Sequence, residues 1–455
     1  MLLKELNTNL SSEKIYEIFK DEIDSAFLDS SMVEDNLGEF SFIGLNPFKR
    51  VRLEKHKVYI NDRETKENIF KVLKTITDKY KFKNNTEIPF ISGGIGYLSY
   101  DFGRTLEKFS DTAKEEVDIP LYIFNFYDNL IIFDHIKHKK YISSLGILEE
   151  EEESVRKVLE RIQEYELKEN HKEEHIEINH NYRIEEFTSN FTREEYEETV
   201  EKVRKYIEEG HIYITNFTQR FLKEVKEEPY NIYKKLRFLS PAPFAAYLNY
   251  GDFKILSSSP ERFIKIEDKI VQTRPIKGTR PRGKTREEDE NNKEELKNSE
   301  KDRSELLMIV DLERNDLSKV CTEHSVKVAE LFEIEEYSTV FHLVSTIKGR
   351  LKEDKDCIDC IKATFPGGSI TGAPKIRSME IIEELEGLKR NIYTGAIGYI
   401  GFDGNCDFNI IIRTILYKDN VAYFGVGGGI TYESEKEFEF EETLHKAKAI
   451  MKALS

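Results

Sequence analysis

The chain of 455 residues is 39% hydrophobic and 34% charged, a composition typical of a globular protein with one large or two ordinary domains. No apolar run approaches the roughly 20 residues of a membrane span, and the first residues lack a signal-peptide pattern, so we expect a cytoplasmic protein without membrane association. The net charge of −17 argues against nucleic acid as the main partner, and four cysteines are too few for a disulfide scaffold.

The first 145 residues predict mainly β hairpins. Residues 51–54 and 58–60 alternate in polarity around a polar turn, and residues 130–133 and 141–142 flank a second turn. Three glycines among β-forming residues at 91–100 indicate that backbones approach closely within a sheet.

An acidic run at residues 149–153 opens a predicted helix. The charged stretch that follows, from about residue 168 to 186, predicts a solvated linker rather than a metal site, because nothing apolar holds its histidines in place. These histidines are His171, His175 and His180. We therefore expect an amino-terminal region at residues 1–170 and a second region at residues 186–455.

The second region begins with a helix whose capping box is formed by Thr192 and Glu195. Further predicted elements are strands at residues 212–217, 244–248, 254–258, 395–401, 409–416 and 421–426, and a helix at 444–454. Because the strands cluster instead of alternating with helices, the fold class is predicted to be α+β.

Lys277 stands between two arginines in the run Arg-Pro-Ile-Lys-Gly-Thr-Arg at residues 274–280. Like-charge repulsion, assisted by burial, would lower the pKa of this lysine toward the neutral, nucleophilic form. The alternative is an ordinary basic surface loop. Gly278 favours the first interpretation, since a glycine lets the backbone approach a ligand.

Two acidic pairs at helical i, i+3 spacing are the candidate metal ligands. They are Asp302 with Glu305, and Glu439 with Glu442. Carboxylates from two distant segments could together supply the oxygen ligands that Mg²⁺ prefers. Solvated helix faces are the alternative.

Glycine-rich turns at residues 365–375 and 425–430 could bind an anion through successive backbone amides, and a carboxylate fits them better than a phosphate. Arg413 lies in a predicted apolar strand and is either ion-paired or a ligand fork. Cys357 and Cys360 predict a helix carrying two thiols, in preference to a zinc or redox site.

Together these segments closely resemble the chorismate-binding enzymes, the family that contains component I of anthranilate synthase and of aminodeoxychorismate synthase, and the isochorismate and salicylate synthases. The resemblance is strong from Thr192 to the end and weaker before residue 150, where residues 38–44 and 93–104 carry it. It implies large antiparallel β-sheets flanked by helices. It also implies that residues 1–170 form the amino-terminal component I region and residues 186–455 the chorismate-binding catalytic domain.

Position 277 separates branches of this family. Anthranilate synthases resemble Pro-Ile-Ala-Gly-Thr here, whereas covalent aminodeoxychorismate synthases read Pro-Ile-Lys-Gly-Thr, as this chain does at residues 275–279. The resemblance implies that Lys277 attacks C2 of chorismate as the 4-hydroxyl leaves, and that ammonia then enters at C4 to give 4-amino-4-deoxychorismate, on the route to p-aminobenzoate and folate. Component I of anthranilate synthase, which makes anthranilate for tryptophan biosynthesis, is the alternative.

The resemblance also assigns the remaining site positions. Glu261 matches the general acid for the departing hydroxyl, and His342 matches the histidine near the substrate C4 region. The substrate is held at Thr279, Tyr393, Arg413, Gly427, Gly428 and Gly429. A magnesium cofactor is bound by Glu305 and Glu442, with Asp302 and Glu439 beside them.

Two features bear on the nucleophile and its source. Family members that add water carry a lysine in the strand after the first helix, and amine-transferring members usually carry glutamine, but this chain has Ile214 there. The missing lysine argues against water as the nucleophile. The chain also lacks the Gly-x-Cys-x-Gly nucleophile of a glutamine amidotransferase, so we expect a separate component II amidotransferase subunit that supplies ammonia.

Overall fold

The computed structural model describes residues 1–33, 37–168, 176, 178–179, 182–337 and 340–455. The three histidines of the predicted linker lie outside these residues. No helix in the described part of the chain is long and apolar enough to cross a membrane.

Ten α-helices lie within the described residues. They are α1 (Ser12–Phe19), α2 (Ile69–Lys79), α3 (Glu151–Lys168), α4 (Arg193–Glu208), α5 (Pro229–Leu239), α6 (Arg286–Asn298), α7 (Glu300–Ser318), α8 (Cys357–Thr364), α9 (Lys375–Glu386) and α10 (Lys436–Ala453). Short 3₁₀ helices cover Tyr100–Thr105, Ile184–Glu186 and Gly368–Ile370.

The strands of the described chain belong to one extensive sheet. They are β1 (Leu2–Glu5), β2 (Ala26–Asp29), β3 (Phe40–Glu54), β4 (Lys57–Ile60), β5 (Arg63–Thr65), β6 (Gly93–Leu98), β7 (Tyr122–Asp134), β8 (Lys139–Ser144), β9 (Thr188–Ser189), β10 (Ile214–Glu224), β11 (Phe244–Asn249), β12 (Phe253–Ser259), β13 (Arg262–Glu267), β14 (Ile270–Arg274), β15 (Ile276–Pro281), β16 (Lys327–Glu336), β17 (Val340–Arg350), β18 (Gly372–Ala373), β19 (Ala396–Gly401), β20 (Cys406–Asn409), β21 (Thr414–Lys418) and β22 (Val421–Ile430).

The sheet has two branches that share β7, and the described strands pair antiparallel throughout both. One branch runs in the order β10, β22, β21, β12, β11, β2, β3, β7. The other runs β7, β6, β19, β20, β13, β14, β17, with β14 and β15 on one edge of β17 and β16 on the other. Strands from before residue 170 therefore pair directly with strands from after residue 186, at β2–β11 and β6–β19.

Helices cover the faces of both branches, because each strand presents apolar side chains that need burial. Helix α10 contacts α4, α5 and β22, and α5 also packs on β12, whereas α6 and α7 pack on β15 and β17. This arrangement confirms the predicted α+β fold with large antiparallel sheets flanked by helices.

Several local predictions are confirmed. Helix α4 begins at a capping box in which Thr192 and Glu195 bond each other's backbone amides. Helix α8 carries Cys357 and Cys360, both buried and free.

Two predictions about the second half are wrong in detail. The glycines at 425–430 are not in a turn but in strand β22, which pairs with β10. Glycine is needed there because an added Cβ at Gly427 would clash with the carbonyl of Phe217 on β10. Arg413 is not inside a strand: it precedes β21 and has a φ of 49°, which turns the chain between β20 and β21. Apolar neighbours on both sides of Arg413 hid this break from the sequence pattern.

Candidate active site

Lys277 lies between the far ends of the two branches of the sheet, on β15 and facing β22. It sits on β15 opposite Leu343 of β17, and its Nζ donates a hydrogen bond of 3.0 Å to the carbonyl of Ser369. The same Nζ lies 3.5 Å from the Cβ position that a side chain at Gly429 would occupy. The interpretation of Lys277 as part of a basic surface loop is therefore wrong, since its amine points inward between β15 and β22.

The charges around Lys277 come from carboxylates rather than from its neighbouring arginines. Arg274 is ion-paired with Glu335, and Arg280 pairs with Glu295 at 2.9 Å and with Asp302 at 3.2 Å. Each flanking guanidinium is thus neutralised by a local partner. The repulsion that the sequence predicted between these arginines and Lys277 is therefore largely cancelled by the carboxylates paired with the arginines.

Glu261 is the carboxyl on the same side of the site as Lys277. Its side chain is buried, and burial raises its pKa, while a hydrogen bond with Ser369 and the charge of Lys277 oppose the rise. The amide of Ile276 donates to Glu261 Oε1 at 3.4 Å. A buried carboxyl with a raised pKa holds its proton more readily, which is the property that a general acid requires.

Three carboxylates line the opposite wall beside the glycines of β22. Burial raises the pKa of Glu305 to about 7, and burial and the charge of Glu442 raise the pKa of Glu439. The pKa of Glu442 is lowered, chiefly by Lys446, which lies 2.5 Å away. A Cβ at Gly428 would lie 3.1 Å from Glu439 Oε2, and one at Gly429 would lie 3.4 Å from Glu305 Oε2.

The carboxylate oxygens of these residues are suitable ligands for magnesium, but the side chains are not close enough together to form a metal site. Oxygen ligands and raised pKa values suit a divalent cation, which would relieve the repulsion among the carboxylates. However, the described residues contain no group of three or more His, Cys, Asp or Glu side chains placed to hold a metal. Lys301, 3.5 Å from Glu439, is a cation that already faces them.

His342 and Thr279 form a second polar pair on strands β15 and β17. Thr279 Oγ1 and His342 Nδ1 are 2.9 Å apart, and His342 Nε2 is buried with no hydrogen-bond partner among the described residues. Burial and the charge of Arg413 lower the pKa of His342 to about 3. The imidazole is therefore neutral at physiological pH and offers one nitrogen to a ligand.

Arg413 lies near enough to this histidine for its charge to lower the pKa of His342, and Arg413 has no ion pair among the described residues. Its Nη1 donates a hydrogen bond of 3.5 Å to Ser240 Oγ, and burial lowers its pKa. Of the two alternatives left open by the sequence, the structure favours a guanidinium reserved for a ligand, because a buried cation without a carboxylate is costly.

The glycines and Tyr393 lie along β22. Beyond Phe424 this strand pairs with β10 on one edge, and no described strand pairs with the other edge, where Lys446 Nζ bonds the carbonyl of Gly427 at 2.9 Å. The ring of Tyr393 packs on Gly425, four residues from Gly429. Tyr393 thus lies farther along the strand than the Lys277 end of the site, beside the buried pair of Arg390 and Glu386.

Four residues near the site were missed by sequence reasoning. They are Ser369, Lys301, Lys446 and Glu313. Ser369 stood inside the glycine-rich stretch, and Lys446 stands at i+4 from Glu442, a spacing that signals an ion pair on a helix. Nothing local marked Glu313, which lies among the apolar positions of α7.

Position 278, next to Lys277, needs glycine for two reasons: its backbone is left-handed, and there is no room for a side chain. Its φ is 72°, and an added Cβ would lie 2.8 Å from Asp302 Cγ and 2.8 Å from Leu296 Cδ1. We expect Gly278→Ala to lower the free energy of unfolding by about 2–4 kcal/mol, from left-handed strain and crowding together. Denaturant unfolding measures this, with Gly210→Ala as the control, since Gly210 has a φ of 78° but open space around it. Equal losses in the two variants would contradict the crowding.

Comparison with known proteins agrees with this geometry. The family model described as chorismate binding enzyme matches residues 28–452. Anthranilate synthase component 1 of Acetivibrio thermocellus is 38% identical over 433 residues, which cover 91% of this chain and 87% of that protein. Aminodeoxychorismate synthase component 1 of Bacillus subtilis (strain 168) is 39% identical over 386 residues, covering 85% of this chain and 80% of that protein.

Among solved structures, anthranilate synthase component I from Streptococcus pneumoniae TIGR4 matches with a TM-score of 0.82 and 32% identity, covering 92% of this chain and 94% of that chain. The chain belongs to the chorismate-binding enzyme family, which confirms the resemblance seen in its motifs. Relatives of both synthase types are similarly close, so membership of the family does not distinguish between the two reactions. The choice between them rests on the residues of the site.

Proposed function

We propose that this protein aminates chorismate at C4 to give 4-amino-4-deoxychorismate through a covalent intermediate on Lys277. The observation that carries the proposal is the inward-pointing Lys277 amine, which shares Ser369 with the buried carboxyl of Glu261. A nucleophile and a proton donor thus lie on one wall of the site. This is the arrangement needed to form a bond at one ring carbon while a hydroxyl leaves another.

The first step requires the Lys277 amine in its unprotonated form: its nitrogen attacks C2, the ring double bond shifts, and the C4–O bond breaks. Glu261 gives its proton to the departing hydroxyl, so that water leaves and Glu261 becomes a carboxylate. The neutral imidazole of His342 and the guanidinium of Arg413 are available to hold the substrate in place.

In the second step ammonia attacks C4, the double bond shifts back, and the bond between C2 and the Lys277 nitrogen breaks, so that Lys277 leaves as the amine and the ammonium formed at C4 returns a proton to the Glu261 carboxylate. Two allylic displacements place nitrogen on the carbon that lost oxygen, whereas one displacement would place it on C2. Ile214 supports nitrogen over water as the nucleophile, because it stands where family members that add water carry a lysine; its Cδ1 lies 3.2 Å from the Cβ position at Gly429, beside Lys277.

The ammonia is proposed to come from a glutamine amidotransferase. The relatives named above are component 1 proteins, which implies a second component, and this chain lacks the cysteine motif of a glutaminase. Purified chain alone is then expected to use ammonium salts but not glutamine.

Product identification tests the proposed reaction. Chorismate, Mg²⁺ and ammonium are incubated with the purified chain, and the products are separated and identified by mass and fluorescence. We expect 4-amino-4-deoxychorismate as the main product. Anthranilate as the main product would overturn the proposal. The alternative function, component I of an anthranilate synthase, would then hold, as in the 38% identical relative.

A magnesium ion held by Glu305 and Glu442, with Asp302 and Glu439 beside them, would neutralise the ring carboxylate of chorismate. We expect a chelator to abolish activity and Glu305→Gln to raise the Mg²⁺ concentration for half-maximal activity at least about tenfold. Glu300→Gln is the matched control, since Glu300 is exposed on the same helix. Unchanged activity in excess EDTA would show that the carboxylates serve another purpose.

A further inference from the structure

Glu313 is a buried carboxyl directly behind the site that the reaction above does not use. It lies on α7, eight residues after Glu305, with 9% of its surface exposed. A Cβ at Gly368 would lie 3.2 Å from its Cγ, so Glu313 packs against the turn that carries Ser369. Ser369 in turn contacts both Lys277 and Glu261.

Thr273 has two possible acceptors beside its hydroxyl but only one hydrogen to donate, and we assign that hydrogen to the nearer acceptor. Thr273 Oγ1 lies 2.7 Å from the carbonyl of Phe263 and 2.9 Å from Glu313 Oε2. A carbonyl can only accept, and a hydroxyl has one hydrogen to donate. With the Thr273 hydrogen directed to Phe263, the contact between Glu313 and Thr273 is a hydrogen bond only if Glu313 is the donor, which requires a protonated carboxyl.

The burial of the carboxyl agrees with this assignment. Burial is the largest influence on the pKa of Glu313 and raises it to about 8; a hydrogen bond donated by Thr273 would oppose the rise, and the negative charge of Glu261 adds to it. Lys375, on the adjoining α9, opposes the rise but is ion-paired with Asp316. Asp316 also pairs with Lys319 at 2.8 Å, so the cations near Glu313 are already partnered.

We infer that Glu313 is a positioning residue that keeps a neutral carboxyl behind Glu261, so that Glu261 can release its proton to the departing hydroxyl. The inference rests on the proposed role of Glu261 as the general acid. When Glu261 gives up its proton it becomes an anion, and a neutral neighbour permits this, whereas a second anion would repel it. Through Thr273 and Phe263, Glu313 also ties α7 to the strands β13 and β14 that flank Glu261.

The sign of the expected pH dependence follows from this charge. As pH rises above about 8, Glu313 loses its proton, and its negative charge then opposes ionisation of Glu261. We therefore expect kcat of the wild type to fall on the basic side, with a limiting slope of roughly tenfold per pH unit from a single ionisation.

Glu313→Gln tests the inference, because the amide keeps the size and the donor to Thr273 but cannot ionise. We expect kcat at pH 7 within about twofold of the wild type and about tenfold above it at pH 9, with KM changed little at either pH. The rate is read from chorismate consumption together with product identity. Parallel pH profiles for the two proteins would overturn the inference, and anthranilate as product would overturn the proposed function while leaving the profile readable.

Thr273→Val is a second variant, which tests the inference even if Glu313→Gln does not fold. It removes the acceptor for the Glu313 proton at nearly constant shape, so we expect the basic fall in kcat to begin at lower pH than in the wild type. If Thr273 instead donated its hydrogen to an ionised Glu313, the fall would move to higher pH or stay in place. Either of those results would overturn the assignment of the proton to Glu313.

Discussion

Lys277→Ala is expected to lower formation of 4-amino-4-deoxychorismate by at least about 1,000-fold, because removing a catalytic nucleophile is among the largest single effects in enzymes. The amine lies 3.0 Å from the Ser369 carbonyl and faces the substrate wall between β15 and β22. Without it, ammonia can enter only by one displacement, which places nitrogen on C2. Any residual amination should therefore appear at C2, measured by product mass and anthranilate fluorescence.

Lys277→Arg is the matched control for charge. It keeps a cation on the same strand but has no nucleophilic amine, so we expect the same loss of amination at C4. Intact-mass analysis of the wild type with chorismate and Mg²⁺ but no ammonia should show an adduct that maps to Lys277. The covalent mechanism is wrong if no adduct forms and Lys277→Ala retains full amination at C4.

Glu261→Gln is expected to lower kcat by about 10²–10⁴-fold, the range of a general acid acting on a poor leaving group such as hydroxide. The amide preserves the buried shape of the side chain and can still accept from the Ile276 amide, but it has no acidic proton. Because the loss concerns the step at C4, it should appear in kcat with KM changed little.

Glu267→Gln is the control for this variant, since Glu267 lies at the end of β13 with its side chain 52% exposed. Its kcat should equal that of the wild type. An activity loss in Glu261→Gln that is matched by a loss of folded protein, measured by thermal unfolding, would contradict a chemical role for the carboxyl.

Sequence reasoning succeeded where chemistry is encoded in adjacent residues. The capping box at Thr192 and the hairpin at β3 and β4 depend on contacts a few residues apart, and the structure has both. It failed at Arg413 and at the glycines of β22, because a left-handed turn among apolar residues and a close backbone approach to β10 depend on distant segments.

The environment of Lys277 shows the same limit. The flanking arginines suggested repulsion, but the sequence does not reveal that each has a carboxylate partner on another element. The Lys277 contact with Ser369 joins residues 92 positions apart, and Thr279 meets His342 across 63 positions. Strand pairing brings residues so far apart in the chain into contact, and no local sequence pattern predicts which strands pair.

By itself the sequence predicted the class of fold from the clustering of its strands and the family from the resemblance of motifs in a fixed order, and it named the residues that we propose for the site. Only the tertiary structure decided that Lys277 points inward, that Glu261 is buried near it, and that a second buried carboxyl, Glu313, lies behind them. The physical reason is that burial and hydrogen-bond direction fix the charge of a group, and both depend on elements that are far apart in the chain.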